Sequence, residues 1–295
     1  MANNSLAVKA RAIWVMMKPL QLFLLSVTLF GAYFAAGGRF NAATLALLVG
    51  AAIGGIGGVT ALNMVLEADI DALMPRTAGR PVPSGLIGPG EALSACVAIT
   101  FLGLLSALAI NRYVAFSVLL GLVFDIIMYT EIAKRRSPVN ILLGGVAGGA
   151  PALGGWAAAR GTIDLGGALL AGVVMSWIPM HIWFISSYYM DDYARAGIPM
   201  APLVLPPKRV TALIKASLLV MDALLWAFVA VEGYGMLAAS LASLLVALSM
   251  RAVSRWEASP DRERARALFK FASPVIAAVF IALPIDYWLL GGVMH

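Results

Sequence analysis

The chain has 295 residues, of which 61% are hydrophobic and 12% charged, and its mean hydropathy is +0.91. Soluble domains carry about a quarter charged residues, so this composition excludes an ordinary water-soluble fold and makes a bilayer the expected solvent. The single cysteine, Cys96, excludes an intrachain disulfide and a cysteine metal cluster, and the net charge of +6 is read as membrane topology and attraction to anionic headgroups, with no nucleic-acid partner.

A helix crosses the hydrocarbon with about 20 mostly apolar residues. Such runs recur at about 19–38, 43–66, 92–110, 114–130, 140–159, 165–189, 210–231, 234–250 and 271–292. The expected fold is all-α, a polytopic membrane helix bundle of about nine transmembrane helices around a central cavity, with residues 1–295 forming one domain. The first run follows Lys9, Arg11 and Lys18 and is too long for a cleavable signal, so it should stay as a membrane helix. With nine spans, every Lys and Arg except Arg39, Arg112 and Arg160 falls on the side of the N-terminus. The positive-inside rule makes that side cytoplasmic and the location the cell membrane.

Glycines crowd the second span, Gly50 to Gly58, and the fifth, Gly144 to Gly149, where small residues let helix backbones approach closely. The second span runs into an acidic segment. Asn63, Glu67 and Asp71 recur every four residues and share one helical face, while Asp69 points elsewhere. Carboxylates beside a membrane require a cation or a watery cavity. Hard oxygen donors suit Mg²⁺, which takes one or two carboxylates together with substrate phosphates. Arg76 and Arg80 follow as the foremost cations for a diphosphate, joined by Lys134, Arg135 and Arg136 of the next loop on that face and by Arg195. For the Lys134–Arg136 run, a purely topogenic role is an equal reading.

The sixth span leads to a second acidic segment containing Asp191 and Asp192. Ala78-Gly79-Arg80-Pro81 and Ala196-Gly197-Ile198-Pro199 end the two segments alike, so a weak internal duplication involving segments near 63–83 and 188–202 is one reading and chance the other. Two acidic clusters facing one another across the cavity would each carry a metal ion. His181, one of only two histidines, lies mid-span between Trp177 and Trp183, and its residues alone leave a packed core histidine and a ligand both open. The other, His295, is terminal and expected to be inert. Asp125, Asp222 and Asp286 also fall within spans, as cavity-lining groups or as helix-to-helix hydrogen-bond partners.

The spacing Asn63…Glu67…Asp71 with Arg76-Thr77…Arg80-Pro81 resembles the first signature of the UbiA-type intramembrane prenyltransferases. Within them the chain is most similar to the protoheme IX farnesyltransferases, or haem O synthases. That similarity rests on Tyr129-Thr130, Lys134 to Asn140, Gly144 to Pro151, Gly155-Trp156, Trp177 to Trp183 and Asp191 to Met200. It covers about residues 15–215. Departures are Met64 where the family usually has Asp, Glu67 for Asp, Met190 for a lysine, and a partly kept tryptophan-proline-histidine pattern around His181.

The resemblance implies transfer of a farnesyl group from farnesyl diphosphate to a vinyl carbon of haem B, to make haem O. Mg²⁺ would be held by Asn63, Glu67, Asp71, Asp191 and Asp192, and His181 would ligate or position the haem. Expected partners are farnesyl diphosphate, haem B, membrane lipid, and haem A synthase or a haem-delivery protein. The competing readings are a related enzyme with an aromatic ring or a glycerol phosphate lipid as acceptor, and a cation-coupled transporter. Transporter sites lie near the bilayer midplane, whereas both acidic segments here lie at the rim.

Overall fold

A computed structural model describes residues 6–290, and every regular element within them is helical. In chain order they are α1 (Leu6–Met16), α2 (Pro19–Ala35), α3 (Ala42–Leu66), the short α4 (Ala68–Leu73), α5 (Pro89–Ile110), α6 (Arg112–Ala133), α7 (Ile141–Arg160) and α8 (Leu165–Tyr188). The short α9 (Met190–Arg195) and α10 (Ala201–Val204) precede three long helices, α11 (Pro207–Glu232), α12 (Met236–Ala258) and α13 (Arg262–Leu290). Eight of these are long and apolar enough to cross a membrane, or nine if α1 and α2 count as one span bent by 53°. His295 lies outside the described residues.

The hydropathy reading misses where it meets charge. The last helix begins at Arg262, not near 271, because Ala265 and Leu268 are buried and keep an apolar stripe under a charged outer face. The first run starts where expected, at Pro19, but another helix, α1, precedes it, and the chain bends between them at Lys18, the one described non-glycine residue with positive φ (46°). Proline starts α2 well but disfavours helical geometry in the residue before it, so the chain turns there.

Helix α8 is the centre of the bundle, packing on α7, α11 and α13 and burying Trp177, Trp183 and Phe184. By contrast α5 is peripheral and buries only Ala92, Cys96, Thr100, Gly103 and Ala107, a stripe at three- and four-residue intervals. That is the packing role of Cys96. The glycine runs do bring backbones together: Gly54 lies against the backbone of Gly103 on α5, and Gly155 against the Leu29 carbonyl on α2. Around Gly54 (Ile53–Gly58) and again over Val123–Ala133 the helix widens to π turns, which often accompany functional sites.

Two of the intramembrane aspartates are structural. Asp286 accepts the backbone N–H groups of Leu237 and Ala238 at 3.0 and 2.8 Å, satisfying the first turn of α12, and Asp222 accepts the Ser243 hydroxyl at 2.7 Å across α11 and α12. Asp125 instead lines the central cavity.

Candidate active site

A cavity of about 850 Å³ occupies the middle of the bundle, within the range of small-molecule sites. Its walls are apolar side chains and small residues of α2, α3, α6, α7, α8 and α13. At the end reached by the 67–80 loop stand Asn63, Glu67, Asp71, Arg76, Arg80 and Lys134.

Helix α3 ends at Glu67, whose backbone (φ −96°, ψ 8°) has left helical geometry, and α4 restarts at once. The break does not scatter the motif: Asn63, Glu67 and Asp71 all face the cavity, while Asp69 turns out to solvent and binds Arg135 through two hydrogen bonds of 2.8 Å. Asn63 Nδ2 donates to Glu67 Oε1 at 3.0 Å and to Thr130 Oγ1 at 2.7 Å. Thr130 passes its own hydrogen to the Asp125 carbonyl at 2.7 Å, five residues back, in the wide turns of α6. Lys134 Nζ sits 2.5 Å from Glu67 Oε1, both nearly buried, and Arg80 reaches both oxygens of Asp71 at 2.7 and 2.6 Å. Thr77 donates to the Asp71 carbonyl and fixes the turn between them.

Burial alone would raise the Glu67 carboxyl, but the charge and hydrogen bond of Lys134, with Lys18 and Asn63, hold it below the usual carboxylate range. For Lys134 burial opposes the charged form, and the neighbouring Tyr129 and Glu67 more than reverse this, raising it above an ordinary lysine. Both groups are therefore ionised at neutral pH.

Lys18, read from the sequence only as part of a basic flank, is a member of the site. Its left-handed backbone at the α1–α2 bend puts it on the cavity wall. The usable signal was Lys18-Pro19, since a basic residue ahead of a helix-starting proline marks a turn at the membrane edge.

The second acidic segment flanks the cavity more than it enters it. Tyr193 lines it, but Asp191 is exposed and bound to Arg262 at 2.8 Å, an ion pair that holds its carboxyl below the usual range. Asp192 lies 3.9 Å from both Arg76 and Arg195. The two aspartates border a smaller cleft with Tyr188, Tyr189, Arg262 and Glu263. Arg76 bridges the two regions, stacked 4.4 Å from the Tyr189 ring centroid. Arg135, Arg136 and Arg195 are exposed and absent from the cavity wall, Arg135 being engaged by Asp69. Among the described residues no three His, Cys, Asp or Glu side chains converge on one point.

Deeper in the cavity, His181 stacks on Trp177 with centroids 4.9 Å apart, and its Nδ1 lies 3.1 Å from the Phe269 carbonyl oxygen of α13. A carbonyl only accepts, so Nδ1 carries the hydrogen and Nε2 keeps its lone pair. Trp177 donates to the Ala272 carbonyl at 2.7 Å, one turn along, so two bonds tie α8 to α13 at this level.

A membrane helix bundle with an apolar chamber and a rim of paired carboxylates, asparagine and cations defines a class: intramembrane enzymes acting on a lipid-like substrate with an anionic head. The comparisons with known proteins specify it. The model of the UbiA prenyltransferase family matches residues 24–274, and the chain belongs to that family. It is 48% identical over 282 residues to the protoheme IX farnesyltransferase of Aeropyrum pernix, covering 96% of this chain and 93% of that one. With the enzyme of the same name from Korarchaeum cryptofilum it shares 45% over 281 residues, covering 95% of each. Among solved structures, a UbiA homologue from Aeropyrum pernix superposes with a TM-score of 0.71 at 26% identity, covering 90% of this chain and 97% of that one. A UbiA homologue from Archaeoglobus fulgidus bound to GPP and Mg²⁺ shares the fold at TM-score 0.66 and 14% identity, covering 92% and 99%. The chain is thus an integral, multi-pass prenyltransferase.

Proposed function

We propose that this enzyme transfers the farnesyl group of farnesyl diphosphate to a vinyl carbon of haem B, giving haem O. The observation that carries the reading is the joint presence, in one cavity, of a diphosphate-type rim and, deeper, a histidine with a free Nε2. The curated relatives named above support the choice of donor and acceptor. The polar rim lies on the face that holds nearly all the Lys and Arg, so the site opens to the cytoplasm in a cell membrane.

The residues fit Mg²⁺. Asn63 spends its amide nitrogen on Glu67 and Thr130, which leaves its carbonyl oxygen for a ligand beside the Glu67 and Asp71 carboxylates. Two carboxylates with substrate phosphates are a usual Mg²⁺ set. We assign the ion to Asn63, Glu67 and Asp71, with Asp192 contributing from across the Arg76 contact. Asp191, exposed and paired to Arg262, is left out of this set. When bound, the ion neutralises diphosphate charge and makes it a better leaving group.

Lys18, Arg76, Arg80 and Lys134 surround the same space and stabilise the negative charge that builds on the departing diphosphate. The carbon–oxygen bond breaks with its electron pair leaving on diphosphate. The allylic cation formed is attacked by the terminal vinyl carbon of the acceptor, and water captures the resulting porphyrin-side cation with loss of a proton. The apolar walls of α2, α7 and α8 exclude water from the allylic cation until the new carbon–carbon bond exists. His181 Nε2 holds the haem iron, with Trp177 against the imidazole.

Purified enzyme given farnesyl diphosphate, Mg²⁺ and haem B should form haem O by mass spectrometry, and Asp71→Asn should lower the rate by at least about a hundredfold. Undiminished turnover in Asp71→Asn, or turnover of aromatic acids in place of haem, would sink the reading.

A further inference from the structure

The cations of the cavity wall fall into two groups. Lys18, Arg76, Arg80 and Lys134 cluster at the diphosphate rim. Lys270 stands apart on α13, a helix that packs on α2, α8 and α12. It follows directly on Phe269, whose carbonyl holds His181, so it belongs to the level of the cavity assigned to the acceptor. No carboxylate pairs with Lys270 among the described residues. Lys270 is exposed, just ahead of the apolar run that starts near 271, so its ammonium is free to meet an anion at the cavity wall. Ser273 lines the cavity one turn on, and its hydroxyl makes no hydrogen bond among the described residues. Its usual internal acceptor, the Phe269 carbonyl, is taken by His181.

We propose that Lys270, with Ser273, is the carboxylate anchor of the acceptor site and receives a propionate of the porphyrin. The inference rests on the haem reading and adds what orients the ring. Haem B carries its vinyl and propionate groups on opposite edges. A propionate held at Lys270, with the iron over His181, turns the vinyl edge toward the rim where the allylic cation forms. Lys270 is thereby a specificity-determining residue, because an acceptor without a carboxylate at that distance loses its orientation.

The test uses zinc protoporphyrin IX and its dimethyl ester, titrated by absorbance and fluorescence against the full-length enzyme in a maltoside detergent free of phosphate. Lys270→Gln should weaken binding of the free acid about tenfold and leave the ester unchanged, and Lys270→Arg should restore most of the loss. KM for haem B should rise in Lys270→Gln while KM for farnesyl diphosphate stays constant. Equal effects on acid and ester, or none, would overturn the anchor and leave the haem reading standing. So would an effect seen only in phospholipid nanodiscs, which assigns Lys270 to a lipid phosphate. A wild-type enzyme that binds neither porphyrin overturns both.

Discussion

At the scale of single residues, the Glu67–Lys134 pair is the most consequential contact of the rim, because both members are nearly buried. Removing one partner strands the other charge, which costs about 3–5 kcal/mol for a buried pair. Lys134→Met should therefore lower the unfolding midpoint sharply, and adding Glu67→Gln should recover much of the loss. The pair also fixes a pH response. Glu67 is held below its ordinary value in the folded protein, so its stabilisation is complete above the usual carboxylate range and fades as pH falls through the depressed value. In Lys134→Met burial regains the upper hand, so Glu67 takes up its proton at a higher pH and that protonation no longer costs stability; the acid limb of activity, assayed at each pH, should shift to higher pH than in wild type. The Asp69–Arg135 pair is the internal control. With its carboxylate 62% exposed, Asp69→Asn should change stability by no more than about 0.5 kcal/mol.

At the scale of elements, the glycines separate into those that set helix spacing and those that do not. A methyl group on Gly155 would collide with the Leu29 carbonyl, which is backbone and cannot swing aside, whereas one on Gly79 would meet open space. Gly155→Ala should cost about 1–3 kcal/mol by thermal unfolding in detergent, and Gly79→Ala should be silent. The periodic residues were legible from sequence for a physical reason. Four-residue spacing survives the break at Glu67 because backbone hydrogen bonds from Glu67 to Asn63 and from Asp71 to Glu67 carry the helical repeat across it, so Asn63, Glu67 and Asp71 share one wall. Proximity in the chain misled elsewhere. Arg135 and Arg136 follow Lys134 directly, yet successive residues diverge by about 100° around a helical turn, and only Lys134 faces inward. Asp191 was drawn away by Arg262, a partner 71 residues distant that no local pattern reveals. The two Ala-Gly turns likewise part company, since Gly197 takes φ +67° and Gly79 does not take a positive φ.

At the scale of the molecule, hydropathy was enough to place eight or nine spans, because crossing a bilayer imposes one length on every helix. It was not enough to show the bend at Lys18 or the extension of α13 to Arg262, where charge and apolarity share a helix. The bend has a further effect through its position. Helices α2 and α13 press together where Gly31 meets Phe280, but toward Lys18 the cavity wall includes Leu20, 74% exposed, and the exposed Pro274. The chamber thus reaches the lipid-facing surface between the two helices, and a prenyl chain or a porphyrin can enter sideways without crossing water. Such an enzyme meets its substrates in two dimensions. Its rate should follow their mole fraction in the membrane, so adding inert lipid at fixed total substrate should slow turnover as much as diluting a soluble enzyme's substrate does in a cuvette.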